Sequence, residues 1–89
     1  MATTIDATVE ATLLDIVDAV LYSGTQQEAT LGQTWGELAA NESQMLLIAY
    51  RVGDAFAVSV DADDRKLFYG GCTLEGTSRE IRIRMKART

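Results

Sequence analysis

Two stretches of this chain repeat their apolar residues at the period of a helix, and this limits its folds more than any other feature. In the first, Val9, Leu13, Ile16, Val17, Val20 and Leu21 stand 4, 7, 8, 11 and 12 positions after Val9. That spacing makes one stripe on a helix read from about Ile5 to Leu21. Thr3 and Asp6 approximate a capping box at its start, acids at 6 and 10 suit its positive end, and Ser23-Gly24 ends it. In the second, Met45, Ile48, Ala49, Val52 and Phe56 form a stripe between Glu42 and Phe56, with Asn41 as N-cap. Leu46, Leu47 and Tyr50 widen it beyond one face, which predicts either deep burial or a second sticky surface.

Between these helices lies a connection, residues 22–40, of mostly small and polar residues. Loops this long are usually pinned or functional. Leu31 and Trp35 are the expected pins. Trp35 to Leu38 reads as a short helical turn boxed by Thr34 and Glu37. After the connector 57–60, Asp61 is the expected cap of a short helix over 62–69, stopped by Gly70-Gly71. Thr73 is a candidate cap for a last helix from Leu74, although Gly76, Thr77 and Ser78 weaken it. From Ile81 the residues alternate apolar and basic, as in a strand, whereas on a helix Leu74, Ile81 and Met85 share one face. We read a helix there.

With 89 residues the chain is expected to form one small domain. It has no histidine, so imidazole triads, shuttles and metal sites are excluded. Cys72 is its only cysteine and reads as a small buried hydrophobe without a base to activate it. Asp61, Asp63 and Asp64 resemble a calcium loop, but Arg65 and Lys66 stand where that loop needs ligands and glycine. Catalysis by the chain itself is therefore not expected, and neither is a metal. No apolar run approaches a membrane span and no basic leader is visible, so the expected setting is the reducing cytoplasm. Residues 1–50 carry seven acids and no base, a poor surface for nucleic acid. The bases gather late, as Arg79, Arg82, Arg84, Lys86 and Arg88. This tail reads as a solvated face, or as a segment docking on acids of the first half or of a second copy in a homo-oligomer.

The order of these pieces resembles the acyl and peptidyl carrier proteins over roughly residues 5–81. Thr34-Trp35-Gly36-Glu37-Leu38-Ala39-Ala40-Asn41-Glu42-Ser43 is similar to the family's E-L-G-x-D-S-L approach to its second helix. Phe56-Ala57-Val58-Ser59-Val60 is similar to its F-G-[VI]-x-[VI] exit, and Cys72-Thr73-Leu74-Glu75 to its P-T-[LV]-x entry to the last helix. The resemblance implies an all-α, four-helix carrier-type bundle with a long loop between helices one and two. It also implies a serine that bears 4'-phosphopantetheine. In the family that serine lies fourteen residues before the phenylalanine, which here is Glu42 and not Ser43. In that register Leu46, Ile48, Val52 and Phe56 take the apolar positions. In the register of Ser43 these become Leu47, Ala49, Gly53 and Ala57, a poor core, and a one-residue slip turns every side chain by about 100°. A carboxylate cannot accept the phosphopantetheinyl group. The resemblance thus implies a carrier-like protein without a cofactor, a scaffold or regulator for a biosynthetic enzyme of acyl or aminoacyl metabolism. Glu42 would stand in for the attachment serine, and Met45, Leu47 and Arg51 would meet the partner. Two alternatives stay open: a phosphopantetheinylated carrier using Ser43, and an unrelated helical interaction module.

Overall fold

The computed structural model describes residues 2–88, with side chains for residues 9–87. Among them the chain is all-α, with helices α1 (Ala2–Leu21), α2 (Trp35–Leu38), α3 (Glu42–Phe56), α4 (Arg65–Phe68) and α5 (Leu74–Arg88). Helix α1 packs against α3 and α5, and α4 packs against α5.

Helix α1 buries Val9, Leu13, Ile16 and Val17, with Val20 and Leu21 half-buried against the same core. It begins at Ala2 rather than near Ile5, so Thr3 lies inside the helix and Asp6 beyond its first turn. Nothing in Ala2-Thr3-Thr4 breaks a helix, since proline and glycine are absent there. The side chains of Thr3 and Asp6 lie outside the described residues. Gly24, at φ 82°, takes the left-handed turn that follows the helix.

The long connection is tied at several points. The Asp18 carboxylate accepts the Ala29 N–H at 2.6 Å and Ala29 is buried, a pin not visible in the sequence. Leu31 is half-buried and Trp35 fully so. Backbone bonds then join this segment to the entry of α5. Trp35 N–H donates to Cys72 O (3.0 Å), Gly36 N–H to Gly70 O (2.9 Å), Leu74 N–H to Gln33 O (2.9 Å) and Glu75 N–H to Leu31 O (3.1 Å). A Cβ on Gly36 would sit 3.0 Å from Gly70 O, so the approach depends on glycine.

The residues that weakened the reading of the last helix turn out to be its buried polar centre. Thr77 and Ser78 have no exposed surface. The Trp35 indole N–H donates to Thr77 Oγ1 at 2.7 Å, and that hydroxyl donates to Leu67 O at 2.5 Å. Phe68 meets Trp35 edge-on with ring centroids 5.0 Å apart. One threonine thus binds α2, α4 and α5 together, with its hydrogen bonds satisfied inside the core. Thr73 caps α5 as expected, accepting the Gly76 N–H at 3.1 Å. Cys72 is half-buried against the core.

Two expectations need correction. The short helix spans only Arg65–Phe68, and its cap is Asp64 rather than Asp61. Asp61 instead opens a turn, its carbonyl accepting the Asp64 N–H at 3.1 Å. Tertiary pairing selects the cap: Arg84 grips the Asp64 carboxylate at 2.6 and 3.0 Å, which aims it at the Lys66 N–H. The basic tail is helical, but Arg82 and Arg84 are not a solvated face. Arg82 pairs with Glu10 in the first half of the chain, and Arg84 pairs with Asp64 and Glu80, all with half-buried side chains. Arg79 and Glu75 form an exposed pair of the weak surface kind.

Candidate functional site

Two left-handed residues frame α3. The chain leaves α2 through Ala39 at φ 53°, whose N–H returns to Trp35 O. It leaves α3 through Ala57 at φ 55°, whose N–H returns to Gly53 O. Between them Asn41 and Gln44 form a reciprocal box: Asn41 Oδ1 accepts the Gln44 N–H at 2.8 Å, and Gln44 Oε1 accepts the Asn41 N–H at 2.9 Å. Glu42 and Ser43 are therefore the first two helical residues, and both are exposed. Their carboxylate and hydroxyl stand in solvent at the positive end of the helix dipole.

Helical phase divides the rest of α3. Ile48, Ala49, Val52 and Phe56 are buried. Met45, placed with the partner face by sequence, lies one turn before Ile48 and Ala49 and packs against the core. The opposite side presents Leu46 (56% exposed), Leu47 (40%) and Tyr50 (71%), with Ser43 between them and Glu42, Arg51 and Asp54 around them. At 100° per residue Leu46, Tyr50, Ser43, Asp54 and Leu47 fall within about 100° of one another. Of the two outcomes that the widened stripe allowed, Leu46 and Tyr50 take the exposed one, so of the four apolar positions in the register of Glu42 only Ile48, Val52 and Phe56 are core and Leu46 is not. Three large apolar side chains thus adjoin on one exposed helix face.

Elsewhere, charged pairs link one element to another. Arg84 holds the Asp64 carboxyl below its ordinary value of 3.8, chiefly by direct hydrogen bonding, and the Lys66 N–H helps. In return Asp64 first, and then Glu80, raise the Arg84 guanidinium above its ordinary value, with burial opposing them. No group of three potential metal ligands occurs among the described residues. None of the described helices is long and apolar enough to cross a membrane. A surface groove of about 510 Å³ lies between the exit of α3 and the end of α5, lined by Ala57, Val58, Ser59, Arg84 and Ala87. No protein-family model matches the chain, and no curated protein or solved structure matches it.

Proposed function

We propose that this chain is a carrier-protein-like docking protein without a prosthetic group, which binds a biosynthetic enzyme of acyl or aminoacyl metabolism through the outward face of α3. The observation that carries this reading is backbone geometry. The carrier motifs place glycine two residues before the capping aspartate and directly after the helix-end phenylalanine. With Glu42 at the serine position those glycines fall on Ala39 and Ala57, the two non-glycine residues with positive φ among the described residues. With Ser43 at the serine position they fall on Ala40 and Val58, which lack that conformation. Left-handed backbone is what a glycine in such a motif serves. The geometry therefore supports the register in which the attachment serine is replaced by Glu42 and its aspartate by Asn41.

In this reading the protein's contribution is binding. Leu46, Leu47 and Tyr50 supply apolar contact, and Glu42, Arg51 and Asp54 supply the charged rim. The decisive experiment is incubation with coenzyme A and a broad-specificity phosphopantetheinyl transferase, followed by intact-mass measurement. The expected mass is unchanged while a control carrier is labelled. A gain of one phosphopantetheine that disappears in Ser43→Ala would overturn the reading and make the chain a true carrier.

A further inference from the structure

Residues 57–64 join α3 to α4 without regular structure, yet their burial is ordered. Val58, Val60 and Ala62 are half-buried against the core, while Ala57, Ser59, Asp61 and Asp63 between them are exposed. Between the left-handed Ala57 and the turn over 61–64, residues 58–60 alternate as an extended segment does when one edge lies on the core. Two backbone bonds at its ends are local, from Val58 N–H to Gly53 O (3.2 Å) and from Asp64 N–H to Asp61 O (3.1 Å).

Helix α5 reaches this segment through the Arg84 guanidinium. Arg84 Nη1 donates to Ser59 O at 3.2 Å and to Asp64 Oδ2 at 2.6 Å, and Nη2 donates to Asp64 Oδ1 at 3.0 Å. Its Nε donates to Glu80 Oε2 at 3.0 Å, which fixes the fork on α5. A planar guanidinium suits such a two-pronged grip on a carboxylate. Between the segment and the end of α5 the 510 Å³ groove remains, walled by Ala57, Val58 and Ser59 on one side and Arg84 and Ala87 on the other. The segment thus packs on the core through Val58, Val60 and Ala62 and borders an open groove only on the side of α5.

Its two ends differ from its middle. Ala57 at one end is a sharp left-handed turn. At the other, Leu67 and Phe68 are buried and tied to Thr77 and Trp35. We propose that residues 57–64 are a latched strap, which swings open about Ala57 and the Leu67–Phe68 anchor, with the Arg84 fork as its latch. Opening lifts Val58, Val60 and Ala62 off the core and extends the groove into an apolar recess. A segment with few backbone bonds to the body is the kind that opens below the global unfolding free energy.

The test is thiol labelling of the full chain carrying Val60→Cys in a Cys72→Ser background, alone and with two further substitutions. Asp64→Asn removes the charged grip but keeps a good helix cap, since asparagine caps as well as aspartate. Arg84→Gln removes the fork itself. The expected result with either is labelling at position 60 about tenfold or more faster, with the slowest exchanging amides of α1 and α3 unchanged once global stability is matched. Thr77→Val, which loosens the buried hub instead, should leave that labelling no faster than global opening allows. Labelling that follows global stability in every variant would overturn the proposal, as would labelling unchanged by Asp64→Asn and Arg84→Gln. Should Arg84→Gln fail to fold, Asp64→Asn decides the matter alone.

Discussion

Alanine at φ 53° and 55° is a strained choice, because a Cβ in the left-handed region crowds the following carbonyl. The strain is of order 1–2 kcal/mol per residue, and glycine relieves it at the cost of a more flexible unfolded chain. Ala39→Gly and Ala57→Gly should therefore each stabilise the fold by about 0.5–1 kcal/mol, raising the thermal midpoint by a few degrees. A lowered midpoint in either would deny that the residue is left-handed. Thr77 makes the opposite prediction. Thr77→Val keeps the shape but leaves the Trp35 indole N–H and Leu67 carbonyl without their buried partner. The expected loss is about 1–3 kcal/mol, readable from chemical denaturation followed by the single tryptophan. Asp64 adds a pH dependence whose sign follows from its environment. Arg84, the Lys66 N–H and the Leu67 N–H hold its carboxyl below 3.8, with burial opposing them. Its contribution to stability is thus complete above the ordinary carboxyl value and fades as pH falls through the lower folded-state value. Denaturation curves between pH 5 and 2 should steepen less with acid in Asp64→Asn than in the wild type, and parallel curves would show that the pair contributes nothing.

At the scale of the element, α3 has a buried face and an exposed one, and substitution can tell them apart. Leu47→Glu and Tyr50→Ala alter side chains 40% and 71% exposed, so the thermal midpoint should shift by no more than about 0.5 kcal/mol equivalent. Val52→Ala, fully buried, should instead cost on the order of 1–3 kcal/mol. If Leu47→Glu unfolds the chain, the outward face belongs to the core and the docking role fails. The same helix shows what sequence makes legible. Its cap, both ends and its buried stripe follow from Asn41, helical period and the apolar run, because these are local and repeat every turn. For Leu46 and Tyr50 the sequence left burial and a second surface both open, since an apolar residue reads alike on either side until the neighbours are known. Asp64 and Thr77 were missed for a related reason. Asp61, Asp63 and Asp64 are equivalent as local caps, and only Arg84, twenty residues away, distinguishes one of them. Thr77 reads as a weak helix former, and its value comes from an indole 42 residues distant.

At the scale of the whole molecule, the acidic first half and basic tail are joined inside the chain, at least through Arg82 with Glu10. This gives the charge asymmetry a role in closing α5 onto α1 and leaves the face of α3 as the stronger candidate for meeting a partner. It also makes the proposed register testable as chemistry. If Glu42 stands at a lost attachment position, the surrounding fold offers a capped helix start, a left-handed turn before it and a core in phase behind it at Ile48, Val52 and Phe56, although not at Leu46. Asn41→Asp with Glu42→Ser and Ser43→Leu should then restore the motif without disturbing the scaffold. All three positions are exposed, aspartate caps as well as asparagine, and serine is tolerated in a first helical turn, so the triple variant should keep its thermal midpoint within about 1 kcal/mol equivalent. Incubated with coenzyme A and a broad-specificity transferase, it should gain the mass of one phosphopantetheine where the parent gains none. A folded triple variant that stays unmodified, beside a control carrier that is labelled, would remove the carrier reading. The outward face of α3 would then remain an apolar surface in search of a different class of partner.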